Sequence, residues 1–373
     1  MSPKGLFITG GTGLIGSRVL ALLLRRQPGL RAFVLVRASS DWPALERHVG
    51  VDWARCTPIN GDLLLPGLGL SDNSLETLRQ RVDLVIHAAA DTSFSQPLEH
   101  ARRLNVTGTE HVIRLAESLP RLRRFVHLST AFVAGTARGQ VLEEVADRRL
   151  SDATRRPDRW VNAYEQSKYE AEVALQESTL PWVILRPSTV VCDDPRGAVS
   201  QVGAIHRALR LYHSGLAALM PGRAETPVDV VTGRYVAECA ADLAVHSQTD
   251  SGVFHLCAGK GALALGELLE SSHRVWSESP DWRRRGIDTP ALADLPTYRR
   301  FEESVAATGN ARVRAITEAL THFVPQLAFA KTFDTTRAES ALGIVAAPVR
   351  DWWPNMVRHL VHTRWLGSAR RAS

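Results

Sequence analysis

Cysteine is scarce in this chain of 373 residues. The four thiols, Cys56, Cys192, Cys239 and Cys257, lie far apart, and no two have the spacing of a metal-ligand pair or a redox motif. That excludes a disulfide framework and a zinc ribbon, and predicts a reduced, cytoplasmic setting. Long apolar runs are missing too. Val19 to Leu24 is far short of a membrane span, so no integral membrane segment is expected. Leu6-Phe7-Ile8 breaks at Thr9-Gly10, too short for a signal peptide. Neither sign of charge dominates: 45 basic against 39 acidic side chains give a formal charge of +6. Such a balance suits anionic substrates or cofactors and does not argue for a nucleic-acid partner. No internal repeat or low-complexity tract is visible, and the basic tail from Arg364 to Ser373 is expected to fray.

What is present is an alternation of short apolar runs with helical periodicity. Leu6-Phe7-Ile8 ends at glycines, as a buried parallel strand does. Apolar residues then recur at helical spacing from Leu14 to Arg26, and Pro28-Gly29 stops the helix. Further strands are expected at Ala32–Val36, at the stretch ending over Ile59-Asn60-Gly61-Asp62-Leu63, at Val82–His87, Phe125–Ser129, Trp182–Pro187 and Val253–Leu256, with a helix over Asn105–Leu119. The pattern predicts an α/β fold, a Rossmann-like doubly wound parallel sheet with ligands at the carboxyl ends of its strands. After Pro187 the alternation fails. Residues 1–260 are read as the nucleotide-binding domain, with a substrate-lobe insertion at about 190–226. Residues 261–373 are read as a small C-terminal substrate lobe and closing segment.

Thr9-Gly10-Gly11-Thr12-Gly13-Leu14-Ile15-Gly16 joins the first strand to the first helix, the context in which a glycine-rich turn binds a dinucleotide. Gly10 permits the tight turn, Gly13 the approach of the pyrophosphate, and Gly16 close helix–strand packing. Arg37 follows the second strand, 21 residues after Gly16, and no acid occurs before Asp41. A basic residue there suits the 2′-phosphate, so NADP(H) is expected over NAD(H). Asp62-Leu63 follows the third strand, where an acid can meet the adenine amino group. Ala88 and Ala89 follow His87, small enough for a cofactor to lie against the sheet. Arg18 is read as an exposed helical arginine rather than a phosphate ligand.

Tyr164 and Lys168 are one helical turn apart and face the same way. A nearby ammonium is expected to lower the phenol's pKa and let the pair act as general acid or base. Lys168 can also reach the nicotinamide ribose. Ser129 and Thr130 end the fifth strand, and alternation lets only one of them polarise a substrate carbonyl. Asn105 is read first as a helix cap, and alternatively as a residue holding a water near Lys168.

TGGTGLIG at Thr9, GDL at Gly61, HAAA at His87, NVTGT at Asn105, STAFVAG at Ser129, YEQSK at Tyr164 and LRPSTVV at Leu185 follow one another in this order. In this they resemble the extended short-chain dehydrogenase/reductase family, from Lys4 to about Ala258. Gly135, five residues after Thr130, matches the family's register for the catalytic hydroxyl and selects Thr130 over Ser129. Pro187 completes the cofactor-binding set that the resemblance implies. VLVR at Val34, FVHLSTAFVAG at Phe125 and ILRPSTVV at Ile184 are most similar to the thioester reductase and fatty acyl-CoA reductase branch, the male sterility NAD-binding group. That branch implies NADPH-dependent reduction of a fatty acyl-CoA or carrier-bound acyl thioester to aldehyde or alcohol, with a carrier protein as a possible partner. The alternatives are a ketone or sterol reductase or dehydrogenase, a nucleotide-sugar epimerase, or a non-catalytic NADP-binding sensor. Phe333–Arg337 with Ala341-Leu342-Gly343 resembles the family's closing segment. The basic clusters Arg283-Arg284-Arg285 and Arg299-Arg300 are read as a solvated face, with coenzyme A phosphates or an acidic carrier surface as the other reading.

Overall fold

The computed structural model describes residues 3–37, 51–148, 157–245, 251–307 and 324–366. Asp41 and much of the basic tail lie outside them. The first four strands are β1 (Gly5–Thr9), β2 (Arg31–Val36), β3 (Cys56–Asn60) and β4 (Leu84–His87). The sheet continues with β5 (Arg124–Leu128), β6 (Trp182–Pro187) and β7 (Gly252–Leu256). All pair in parallel, in the order β3-β2-β1-β4-β5-β6-β7. The order reverses between β1 and β4, and the crevice beyond their carboxyl ends is where such sheets take ligands.

Five helices cover the nucleotide-binding half. They are α1 (Leu14–Arg26), α2 (Asp72–Arg81), α3 (Gly108–Glu117), α4 (Ala163–Gln176) and, after α5 (Ala204–His213), α6 (Gly233–Val245). Strand alternation sorts the core into two faces. Phe7 packs with Val112, Phe125, Ile184 and Val253 on one side. Leu6 and Ile8 pack with Leu20, Val34 and Val236 on the other. That second face runs on without a break into α7 (Leu265–Trp276) and α8 (Val349–His362) through Leu268, Trp352 and Trp353.

Every expected strand is present, β6 with the expected bounds and the others with shifted ends. β4 starts at Leu84 because the Asp83 carboxylate is occupied, accepting the backbone N–H groups of Lys4 and Gly5. The helix expected from Asn105 is α3, entered through a π turn over Arg103–Thr107. Short strand pairs fill the region where alternation fails: Thr189–Cys192 with Val230–Thr232, Leu219–Pro221 with Ala291–Ala293, and Pro227–Val228 with Leu263–Ala264. Lys331–Phe333 pairs with Gly139–Val141 and brings the closing segment to the sheet's carboxyl edge. Among the described residues, no helix is long and apolar enough to cross a membrane.

Candidate active site

The glycine turn is built on two positions where no side chain fits. Gly10 has φ +67°, and a Cβ there would lie 2.6 Å from the Ala89 nitrogen. A Cβ on Gly16 would lie 2.1 Å from the Gly10 carbonyl oxygen. Thr9 and Gly10 are thereby pressed against Ala88 and Ala89, whose N–H groups donate to the Thr9 carbonyl (3.1 Å) and the Thr9 hydroxyl (3.3 Å), while Gly11 lies against Ile8 and Val34. Thr12, Leu14 and Ile15 are half-buried around Gly13, which is exposed and begins α1. No side chain caps this helix and its first turn holds no acid. Its free N–H groups fit a pyrophosphate.

The other expected cofactor residues divide. Arg37 is exposed at the end of β2. Asp62 accepts the Leu64 N–H at 2.9 Å, closing a turn beside β3. Leu63 is buried under α3, and its carbonyl bonds His111 Nδ1 at 2.8 Å. Pro187 is buried at the end of β6. Arg18 is half-buried rather than exposed: it donates to the Leu14 carbonyl (2.6 Å) and to Asp193 (2.5 Å), tying the glycine-turn helix to the chain beyond Cys192.

Thr130 follows β5 and opens a short helical turn, its hydroxyl oxygen accepting the Phe132 N–H at 3.2 Å. α4 begins at the Asn162 cap, whose side chain accepts the Glu165 N–H at 3.0 Å. This fixes Tyr164 in the helix's first turn. The Thr130 and Tyr164 side chains share a hydrogen bond, whereas the Ser129 hydroxyl is buried with no partner. Beside the Phe132 contact the Thr130 hydroxyl keeps a second lone pair and its own proton, so either hydroxyl can donate between Thr130 and Tyr164, and the other proton is left for a further acceptor. Phe94 packs against the Tyr164 ring, 5.5 Å between centroids.

Lys168 is 1 % exposed and donates to the Leu128 carbonyl at 2.9 Å. Its ammonium also meets His127 Nε2 at 3.1 Å. Burial brings its pKa down to about 8, against the pull of Glu172. The expected lowering of the Tyr164 pKa is corrected here. Burial pushes the phenol up to about 12, more than the Thr130 hydrogen bond lowers it, because the ammonium is turned to the end of β5 instead.

Two histidines carry the floor of the site, and neither was singled out from the sequence. His87 Nδ1 accepts from Thr9 Oγ1 (2.6 Å), and its Nε2–H donates to Thr109 Oγ1 (2.9 Å), which donates to the Asn105 carbonyl (2.6 Å). That direction assigns the neutral ring, as does a pKa held near 3 by burial and by Lys168. His127 lies 5.3 Å away, also neutral and receiving the Lys168 proton donor. Its Nδ1 has no hydrogen-bond partner. The signal was present: each imidazole interrupts an otherwise apolar buried strand. Asn105 is neither a cap nor aimed at Lys168. It sits inside the π turn, exchanging hydrogen bonds with the Asp91 backbone (2.8 and 3.0 Å) and donating to Ser167 Oγ (2.9 Å). The basic cluster Arg283–Arg285 is largely committed to the protein: Arg284 pairs with Asp281, and Arg285 donates to the His213 and Ser214 carbonyls.

Comparison with known proteins agrees with this geometry. The male sterility protein family matches residues 8–240, from β1 into α6. The fatty acyl-CoA reductase wat of Drosophila melanogaster is 33% identical over 223 residues, 50% of this chain and 43% of that protein. Fatty acyl-CoA reductase 1 of Xenopus laevis is 30% identical over 285 residues, 63% of this chain and 54% of that protein. The chain thus spans about half the length of these curated relatives. The terminal R domain from the myxalamid PKS-NRPS pathway shares the fold, with a TM-score of 0.76 at 22% identity, covering 98% of this chain and 92% of that one. The glycine turn, the parallel sheet and the match along more than half the sequence agree: the chain belongs to the male sterility protein family, an NAD-binding branch of the extended short-chain dehydrogenase/reductases.

Proposed function

We propose that the chain is an oxidoreductase that reduces an acyl thioester, free as acyl-CoA or held on a carrier protein, with NADPH preferred over NADH. The observation that carries this is the meeting of Thr130, Tyr164 and Lys168 at the end of β5, on the same edge of the sheet as the glycine turn. The fatty acyl-CoA reductase relatives support the acyl substrate. A thiolation-reductase di-domain of the same fold supports a carrier as partner (TM-score 0.67, 15% identity, 98% of this chain and 76% of that one).

Residues Thr9 to Gly16, with Ala88 and Ala89, would hold the dinucleotide, Arg37 its 2′-phosphate and Lys168 its ribose. When bound, the nicotinamide supplies the hydride. Thr130 and Tyr164 orient their hydroxyls toward the substrate oxygen as it gains charge. Tyr164 keeps its proton across the physiological range, because burial holds its pKa near 12. It can therefore donate a hydrogen bond to that oxygen, and a proton where the product is an alcohol. The His127 contact and the Leu128 carbonyl keep the Lys168 ammonium in place.

The test is NADPH oxidation by the purified chain with a panel of acyl-CoA thioesters, ketones and nucleotide sugars, with free thiol followed in parallel. The reading expects thiol released in step with NADPH consumed. Oxidation with ketones and no thiol from any thioester would replace it with a ketone reductase.

A further inference from the structure

Two cavities adjoin beyond Phe132, two residues after Thr130. The nearer one is lined by Phe132, the residue whose N–H the Thr130 hydroxyl holds, and by Thr189, Asp229, Gln326 and Lys331. The farther one lies in the lobe between α5 and α7 and measures about 50 Å³. A single water needs only about 10–15 Å³ by the same kind of measure. Ile205, Val228 and Leu327 belong to both walls, so the two spaces adjoin across these three apolar side chains.

The farther cavity is apolar by construction. Its lining is aliphatic apart from Tyr212 and Trp353, and both turn their polar atoms away. The Tyr212 hydroxyl bonds His273 and Thr289, each at 3.0 Å, and the Trp353 indole N–H donates to Ser272 Oγ at 3.0 Å. In the nearer cavity the charged and amide groups are already engaged with the protein. Asp229 accepts the Ala258 and Gly259 N–H groups at 2.8 and 2.9 Å. Gln326 donates to Glu165 at 2.5 Å, and Lys331 donates to Gln326 at 2.8 Å and to the Gly135 carbonyl. A hydrocarbon passing these walls leaves Asp229, Gln326 and Lys331 paired as they are, whereas the hydroxyls of a sugar would find few partners.

We propose that the acyl chain of the substrate runs from Thr130 past Phe132 and lodges its terminal methylenes in this apolar cavity. The proposal rests on the acyl-reductase reading and adds what that reading leaves open: the chain-length rule is set by the lobe, at Ala208, Leu268 and their neighbours. Each methylene that reaches the cavity adds about 0.8 kcal/mol of burial, or about fourfold in kcat/KM.

The experiment measures kcat/KM of the full chain for straight-chain CoA thioesters from acetyl to palmitoyl. The wild type should show a rise of about fourfold per methylene up to a maximum and a fall beyond it. Ala208→Phe fills the cavity, and should move that maximum to shorter chains and lower the octanoyl-to-acetyl ratio roughly tenfold or more. Leu268→Ala enlarges the cavity and should move the maximum the other way, which keeps the test open if Ala208→Phe does not fold. Thioester reduction with the same chain-length profile in all three proteins would overturn the proposal and leave the acyl-reductase reading standing. No reduction of any thioester would overturn both.

Discussion

Two regions of this molecule each bury a lysine against α4, and they use it differently. Lys168 faces the end of β5. Its hydrogen-bond partners are a carbonyl and a neutral imidazole, and the nearby Glu172 is itself paired to Arg186 at 2.6 Å. Its charge is therefore left over for a ligand. Lys331 comes from the closing segment to the first turn of the same helix, where Gln326 bridges it to the buried Glu165. Burial drives the Lys331 pKa down and that of Glu165 up, and each partner's charge opposes the shift in the other. Its charge is consumed in holding the closing segment to the helix that carries Tyr164. A buried lysine thus reads as functional or structural according to whether its neighbours neutralise it.

The largest expected effect is at the functional end. Tyr164→Phe keeps the ring against Phe94 and removes the donor. Turnover should fall about 10²–10⁴-fold while NADPH affinity, measured by fluorescence titration, is retained. An active variant would break the comparison, because the charge beside Lys168 would then serve nothing.

Lys331→Met tests the structural end. It leaves Glu165 buried without its cation, and thermal or urea unfolding should show a loss of about 3–5 kcal/mol. Adding Glu165→Gln should recover much of it, since the two residues form one network. Additive losses would mean that the pair is not coupled. Arg37→Asp comes next. Loss of a charge-assisted contact to the 2′-phosphate is worth about 1.5–3 kcal/mol, roughly ten- to a hundredfold in NADPH affinity, with preference swinging to NADH. Equal binding of both cofactors by the wild type would remove Arg37 from the site.

The smallest effect sharpens how Lys168 is tuned. Its ammonium is present below about pH 8 and lost above it, so kcat/KM should fall as pH rises through about 8. The groups facing it are Glu172 on its own helix, Arg186 on β6, His127 on β5 and His87 on β4. His127→Leu removes an acceptor for the charged form, and should move that limb down by up to about one pH unit. His127→Gln keeps an acceptor and should largely restore it. An unmoved limb in both variants would make His127 only a packing residue.

The nucleotide half was legible because backbone geometry dictates it. Gly16 has no room for a side chain beside the Gly10 carbonyl, so its spacing from β1 is fixed in the sequence. Tyr164 and Lys168 are likewise set by one helical turn. The structure also explains the choice of Gly135 as a register mark: at φ +58° it admits the Arg159 carbonyl, and a Cβ there would lie 2.1 Å from that oxygen. The lobe was not legible, because it is held by shape. Trp276 packs edge to face with Tyr212 and His213, and Trp282 with His273, and no spacing announces that cluster. Nor does anything local announce Gln326 as the partner of Glu165, 161 residues away. The direction of the Tyr164 shift was misread for the same kind of reason. Helical spacing places Lys168 on the right face, but the Leu128 carbonyl decides where its ammonium points.

The central claim is that this site delivers a hydride to an acyl carbonyl carbon. It is tested most directly by a single turnover with NADPH deuterated at its transferable position and an acyl-CoA, read by mass spectrometry of the products. The account predicts deuterium on the former carbonyl carbon of the aldehyde or alcohol, one free thiol per turnover, and loss of both signals in Tyr164→Phe. Deuterium that never appears in an acyl product, while NADPH is consumed with ketones, would contradict it.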